Sequence, residues 1–190
     1  MSSQPDLYLS SEAYLTIERK AHVKSEYFNG EMFAMVGASR EHNLIVANLT
    51  RELTQQLKGR PCELYPNDMR VKIPTTGLYT YPDVVVVCGE PKFEDDYVDT
   101  LLNPTLIIEV LSESTESYDR GEKFRHYRTV KSLAGYLLVA QDEYRIEQFI
   151  KQSDEGWLYS ETRLPDGVVQ LVAIQCALAL KEVYDKVALS

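Results

Sequence analysis

The sequence predicts an α/β (α+β) fold in which amphipathic helices cover a sheet with central strands buried on both faces, leading into an antiparallel meander toward the C-terminal end. Three observations carry that expectation. Val84-Val85-Val86-Val87-Cys88 and Leu106-Ile107-Ile108-Glu109-Val110-Leu111 are apolar on both faces apart from one acid, as strands covered from both sides should be. Ile45, Leu49, Leu53 and Leu57 recur every four residues and draw one buried stripe along a helix. Finally, the runs from Tyr136, Arg145 and Trp157 are separated by turn-rich segments short enough to join neighbouring antiparallel strands.

Each element has a local reason. Ser10-Ser11-Glu12 opens a short helix, because a serine hydroxyl can accept from the first free backbone amides. Residues 26–28 and 31–36 flank Asn29-Gly30, which supplies the positive φ values of a type I′ hairpin turn. The striped helix runs over residues 41–58 and is closed by Gly59 and Pro61. Met69, Val71 and Ile73 alternate with Arg70 and Lys72, the period of a strand with one wet face. Residues 90–100 read as an acidic loop with room for a helical turn. Residues 117–130 read as an amphipathic helix with Phe124 and Tyr127 on one side, weakened by Gly121. A last helix is expected around residues 178–186.

The chain has 190 residues, with 20 Lys and Arg against 29 Asp and Glu, hence a formal charge of −9. With 44% hydrophobic and 26% charged residues, disorder and fibrous repetition are excluded. No linker or internal repeat divides it, so residues 1–190 are expected to form a single domain. The longest mostly apolar stretch, residues 168–180, is interrupted by Gln170 and Gln175 and falls short of the about 20 residues that a spanning helix needs. No membrane association is expected. Met1 to Leu9 lacks the basic head and apolar run of a secretory signal, which points to a cytoplasmic location. Cys62, Cys88 and Cys176 are odd in number and far apart, so buried free thiols are expected rather than disulfides or a thiolate metal site. The acidic balance argues against a DNA clamp spread over the whole surface. The densest basic segment, Arg120 to Lys131, is either a solvated helix face or a local patch for nucleic acid.

The chemistry-bearing feature is a pair of carboxylates on otherwise apolar strands, Asp83 and Glu109. Glu109 shares a face with Ile107 and Leu111, and a buried unpaired carboxylate costs several kcal/mol or takes up a proton. A divalent cation would compensate two converging acids; so would an Arg or Lys beside Glu109, with Asp83 capping a strand start. Lys123, fourteen residues after Glu109, could orient a metal-bound water and stabilise charge building on phosphorus, or could be an ordinary exposed helix charge. His42, at a helix start, is either a phosphate contact or a structural cap.

Three motifs in order, Pro82-Asp83, Ile108-Glu109-Val110-Leu111-Ser112-Glu113-Ser114-Thr115 and Asp119-Arg120-Gly121-Glu122-Lys123-Phe124-Arg125-His126-Tyr127, resemble the bacterial Uma2 (Uma-two) family of restriction endonucleases, within the PD-(D/E)XK nuclease superfamily. Asn29-Gly30-Glu31-Met32 and His42-Asn43-Leu44-Ile45 extend the resemblance over roughly residues 10–185. It implies a restriction endonuclease-like mixed central sheet flanked by helices. It further implies Mg2+, with Mn2+ as a substitute, held by Asp83, Glu109 and the backbone carbonyl of Val110. The lysine expected two residues after the glutamate is replaced by Leu111, and the resemblance moves its role to Lys123. Glu31 stands where the family often places a further acid. A homodimer acting on DNA follows, since duplex strands present symmetry-related phosphates. Two functions therefore compete: a metal-dependent DNA endonuclease using Asp83, Glu109 and Lys123, and a non-catalytic protein- or nucleic-acid-binding module that retains the fold.

Overall fold

The β-branched run at residues 84–88 lies near the middle of a six-stranded sheet, and most of the architecture follows from covering its two faces. The computed structural model describes residues 8–189; most of the Met1 to Leu9 stretch read for a signal lies outside them. Helix α1, Ser11–Glu18, is capped by the Ser10 hydroxyl. Strands β1, Ser25–Phe28, and β2, Glu31–Ala34, form the hairpin with positive φ at both Asn29 and Gly30. Helix α2, Arg40–Leu57, starts at the Ser39 cap. Strands β3 (Cys62–Pro66), β4 (Arg70–Ile73), β5 (Leu78–Thr80), β6 (Val84–Cys88), β7 (Thr100–Leu101) and β8 (Leu106–Val110) follow. Helix α3, Glu116–Tyr118, runs through a π-helical turn, Asp119–Lys123, into α4, Phe124–Tyr127. The meander comprises β9 (Gly135–Val139), β10 (Ile146–Lys151) and β11 (Trp157–Thr162), followed by the hairpin β12 (Val168–Leu171) and β13 (Cys176–Ala179) and helix α5, Leu180–Val183.

The main sheet has the order β11-β10-β9-β8-β6-β3 and is mixed: β8 and β9 run parallel, the other neighbours antiparallel. A second sheet, β2-β1-β5-β4-β7, and the β12-β13 pair complete the strands. On one face of the main sheet Val84, Val86, Ile108 and Leu137 pack with Ile45, Leu49 and Leu53 of α2 and with Val183 of α5. On the other, Val85, Val87, Ile107 and Tyr136 pack with Val71 and Ile73 of the second sheet and with Tyr127 of α4. The odd-numbered face of β8 therefore looks toward the second sheet and the α3–α4 segment, which is where Glu109 points. No described helix is long and apolar enough to cross a membrane.

Four expectations are corrected. Cys62 and Cys88 are not free thiols: they face each other in the antiparallel β3–β6 register and form a disulfide, leaving only Cys176 as a free, buried thiol. A register pair brings side chains together whatever their separation along the chain, so spacing alone could not exclude it. Arg70 is not on a wet face. It is 3% exposed and bonded to Tyr81 Oη and Thr100 Oγ1, with Asp99 2.9 Å away. The expected helix over 117–130 is broken into two short helices by the π turn. The loop at residues 90–100 does hold a hydrogen-bonded turn, Val98 N–H donating to the Asp95 carbonyl, beside a bridge from Phe93 to Leu101. The terminal helix is a single turn, because Cys176–Ala179 pairs as a strand with β12.

Candidate active site

Strand register builds the centre of the site. β6 and β8 pair Val84 with Ile108, so one step further along that ladder Asp83 stands opposite Glu109. The Asp83 N–H donates to Glu109 Oε2 at 3.4 Å, and Asp83 Oδ2 accepts from the Val110 N–H at 2.7 Å. Asp83 Oδ1 lies 3.0 Å from His42 Nε2, brought in by the first turn of α2.

Lys123, the last residue of the π turn, reaches the same place from above the sheet. Its Nζ is 3.0 Å from Glu109 Oε1, 3.2 Å from Glu26 Oε1 on β1, and 3.5 Å from Asp119 Oδ1 at the start of its own turn. Tyr127 Oη donates to Glu109 Oε1 at 2.7 Å, and Thr80 Oγ1 donates to Glu26 Oε1. π-helical turns place side chains where a regular α-helix would not, and they recur at functional sites. Glu109, Asp119 and Lys123 are only 3%, 4% and 6% exposed.

Three carboxylates, Glu26, Glu109 and Asp119, thus share one lysine, with Asp83 next to Glu109 and paired with His42. Burial, and then repulsion from Asp119 and Asp83, pushes Glu109 up to about 8 against the opposing pull of Lys123 and the Tyr127 hydrogen bond. Asp119 is raised as well, first by burial. Burial works against the Lys123 ammonium, but Glu109, Tyr127, Glu26 and Asp119 together hold it well above its ordinary value. Lys123 is therefore a fixed positive charge and does not act as a base. The surplus negative charge is what a hard divalent cation would relieve. Oxygen donors suit that class, and Mg2+ is usually bound through one or two carboxylates, completed by water and substrate phosphate. Among the described residues no group of three Asp, Glu, His or Cys side chains is placed to hold an ion between them. The fit therefore rests on the Asp83–Glu109 pair.

The structure brings Asp83, Glu109, Lys123 and His42 together, and Val110 joins them through its N–H. It does not bring in Glu31, which is exposed on β2 opposite Phe28. The hairpin acid that reaches the cluster is Glu26. It was not singled out from the sequence, nor was Asp119. A signal for Glu26 existed: it shares a strand face with Phe28, and an aromatic two residues away marks that face as partly covered. Asp119 looked like an ordinary solvated helix acid.

Comparison with known proteins points the same way. A family model named Uma2 and described as "Putative restriction endonuclease" matches residues 11–181. The chain is 42% identical over 153 residues to the uncharacterized protein sll1609 of Synechocystis sp., covering 80% of this chain and 86% of that protein. It is 37% identical over 182 residues to slr1290, an uncharacterized protein of the same organism, covering 96% and 94%. A crystal structure from Anabaena variabilis, described as a putative nuclease belonging to DUF820, superposes with a TM-score of 0.74 at 16% identity, covering 93% of this chain and 98% of that one. That last likeness is one of fold.

Proposed function

This chain belongs to the Uma2 family, and from that premise we propose that it is a metal-dependent DNA endonuclease hydrolysing phosphodiester bonds. The observation that supports this reading best is the meeting of Asp83 and Glu109 from neighbouring strands beside the buried Lys123. Asp83 and Glu109, with the Val110 carbonyl, would hold Mg2+ or Mn2+, which when bound lowers the pKa of a coordinated water and neutralises phosphate charge. Lys123 keeps a positive charge beside Glu109, orients the attacking water and offsets the charge gathering on phosphorus in the transition state. His42 fixes the rotamer of Asp83, and Tyr127 fixes that of Glu109. A homodimer is the proposed assembly, the pair being suited to the two strands of a duplex; sedimentation of the purified chain tests it.

The test is cleavage of supercoiled plasmid with Mg2+ or Mn2+, with Asp83→Ala and Lys123→Ala alongside. Both variants are expected to lose nicking by at least about a hundredfold. Lys123→Ala leaves three acids without a counter-charge, so its melting curve is recorded and Lys123→Arg is run with it. If Asp83→Ala alone is inactive, the metal site stands and the lysine role falls. Folded wild-type protein that cuts neither DNA nor RNA with either metal would instead identify a binding module on a nuclease fold.

A further inference from the structure

We propose that the Tyr118 hydroxyl contacts the substrate, donating a hydrogen bond to a non-bridging oxygen of the phosphate under attack; this rests on the nuclease reading above. The argument is one of donor supply. An incoming phosphate needs hydrogen-bond donors, yet the donors around Glu109 are already engaged. The three N–H bonds of the Lys123 ammonium are already divided among Glu109, Glu26, Asp119 and, in the reading above, the attacking water. Tyr127 Oη is held by Glu109, the Val110 N–H and His42 Nε2 by Asp83, and Thr80 Oγ1 by Glu26.

Tyr118 differs from all of these. It is the last residue of α3, immediately before the π turn, and its ring centroid lies 5.9 Å from Lys123 Nζ. At 37% exposed it stands at the rim, where a substrate can reach it, whereas Lys123 and Glu109 lie beneath. Its hydroxyl has no hydrogen-bond partner among the described residues. Burial, and then the charge of Glu26, pushes the phenol up to about 12, with Lys123, Asp119 and Glu109 also acting on it. The group is thus beside the cluster and remains a neutral donor at physiological pH. A neutral donor suits this site, because a hydroxyl can bind phosphate without adding another charge to the cluster.

The test uses the full chain on supercoiled plasmid with Mg2+, comparing wild type, Tyr118→Phe and Tyr118→Ala. Tyr118→Phe keeps the ring over Lys123 and removes only the hydroxyl. It is expected to lower kcat by roughly tenfold to a hundredfold, to leave KM within about twofold, and to melt like wild type, the pattern of a contact that strengthens in the transition state. Wild-type turnover by Tyr118→Phe overturns the proposal, and does so most clearly if Tyr118→Ala is impaired, since the ring alone would then matter. A folded wild-type protein that cuts nothing removes the nuclease reading and this contact together.

Discussion

Glu109 is an acid whose charge the fold makes costly. Its carboxyl is raised from 4.5 to about 8 by burial and by neighbouring acids, so the folded protein holds a proton there that the unfolded chain releases. A group raised in this way contributes stability that is complete below its unfolded pKa and is lost as pH climbs through the folded one. In EDTA, the melting temperature should therefore fall between about pH 4.5 and 8 for wild type, and this part of the slope should flatten in Glu109→Gln. Parallel curves for the two proteins would show that Glu109 ionises normally. The same physics made the residue legible in the sequence. Period-two alternation isolates an acid among Ile107, Ile108, Val110 and Leu111, and Asp83 stands out for the same reason beside four valines. Asp119 was not legible, and Glu26 only faintly through Phe28, because their faces are covered by tertiary neighbours: the inward-turned π segment in one case, and Thr80 from β5 in the other.

At the scale of elements, β3 is an edge strand of the main sheet, and the Cys62–Cys88 disulfide ties it to β6 at the end opposite Asp83. The crosslink closes a separation of 26 residues, which in the chain-entropy account contributes about 3.5 kcal/mol, or roughly 7–14 °C in melting temperature at this chain length. Reduction, or the double substitution Cys62→Ser with Cys88→Ser, should lower melting by that amount, while Cys176→Ser should not reproduce the shift. Three reactive thiols, rather than one, in denatured unreduced protein would refute the crosslink. Elements defined by their own pattern, such as α2 with its stripe and the Asn29-Gly30 hairpin, were readable in advance. β3 was not, since Cys-Glu-Leu-Tyr-Pro has a charge and a proline where a strand signal would need alternation. Without β3 there was no register to pair the cysteines. The broken helix at 116–127 was hidden for a related reason: its widened turn is stabilised by the Lys123 contacts with Glu26 and Glu109, which lie far away in sequence.

For the whole molecule, a charge of −9 sets how the chain can meet DNA. Binding that neutralises Z phosphates weakens with salt at a slope of about −0.9Z. Lys123 is buried among acids, and beyond it the helical segment offers only Arg125, in an exposed pair with Glu122, followed by exposed Arg128 and Lys131, which join no ion pair among the described residues. Exposed pairs such as Arg125–Glu122 hold weakly, so the arginine is available to a phosphate. Three contacts give a slope of log K against log salt near −3, far from the −5 to −9 of a protein gripping about six to ten phosphates. Screening of the protein's own negative charge flattens it further, because salt also relieves repulsion from the DNA. Arg128→Gln should reduce the magnitude of the slope by about 1 and weaken all sequences alike. A slope steeper than about −5 would place the nucleic acid on some other surface, as would an Arg128→Gln protein binding like wild type. A shallow slope that moves with Arg128 would mean that contact along the backbone is sparse, leaving the ion between Asp83 and Glu109 and the donors at the rim of the site to hold the phosphate.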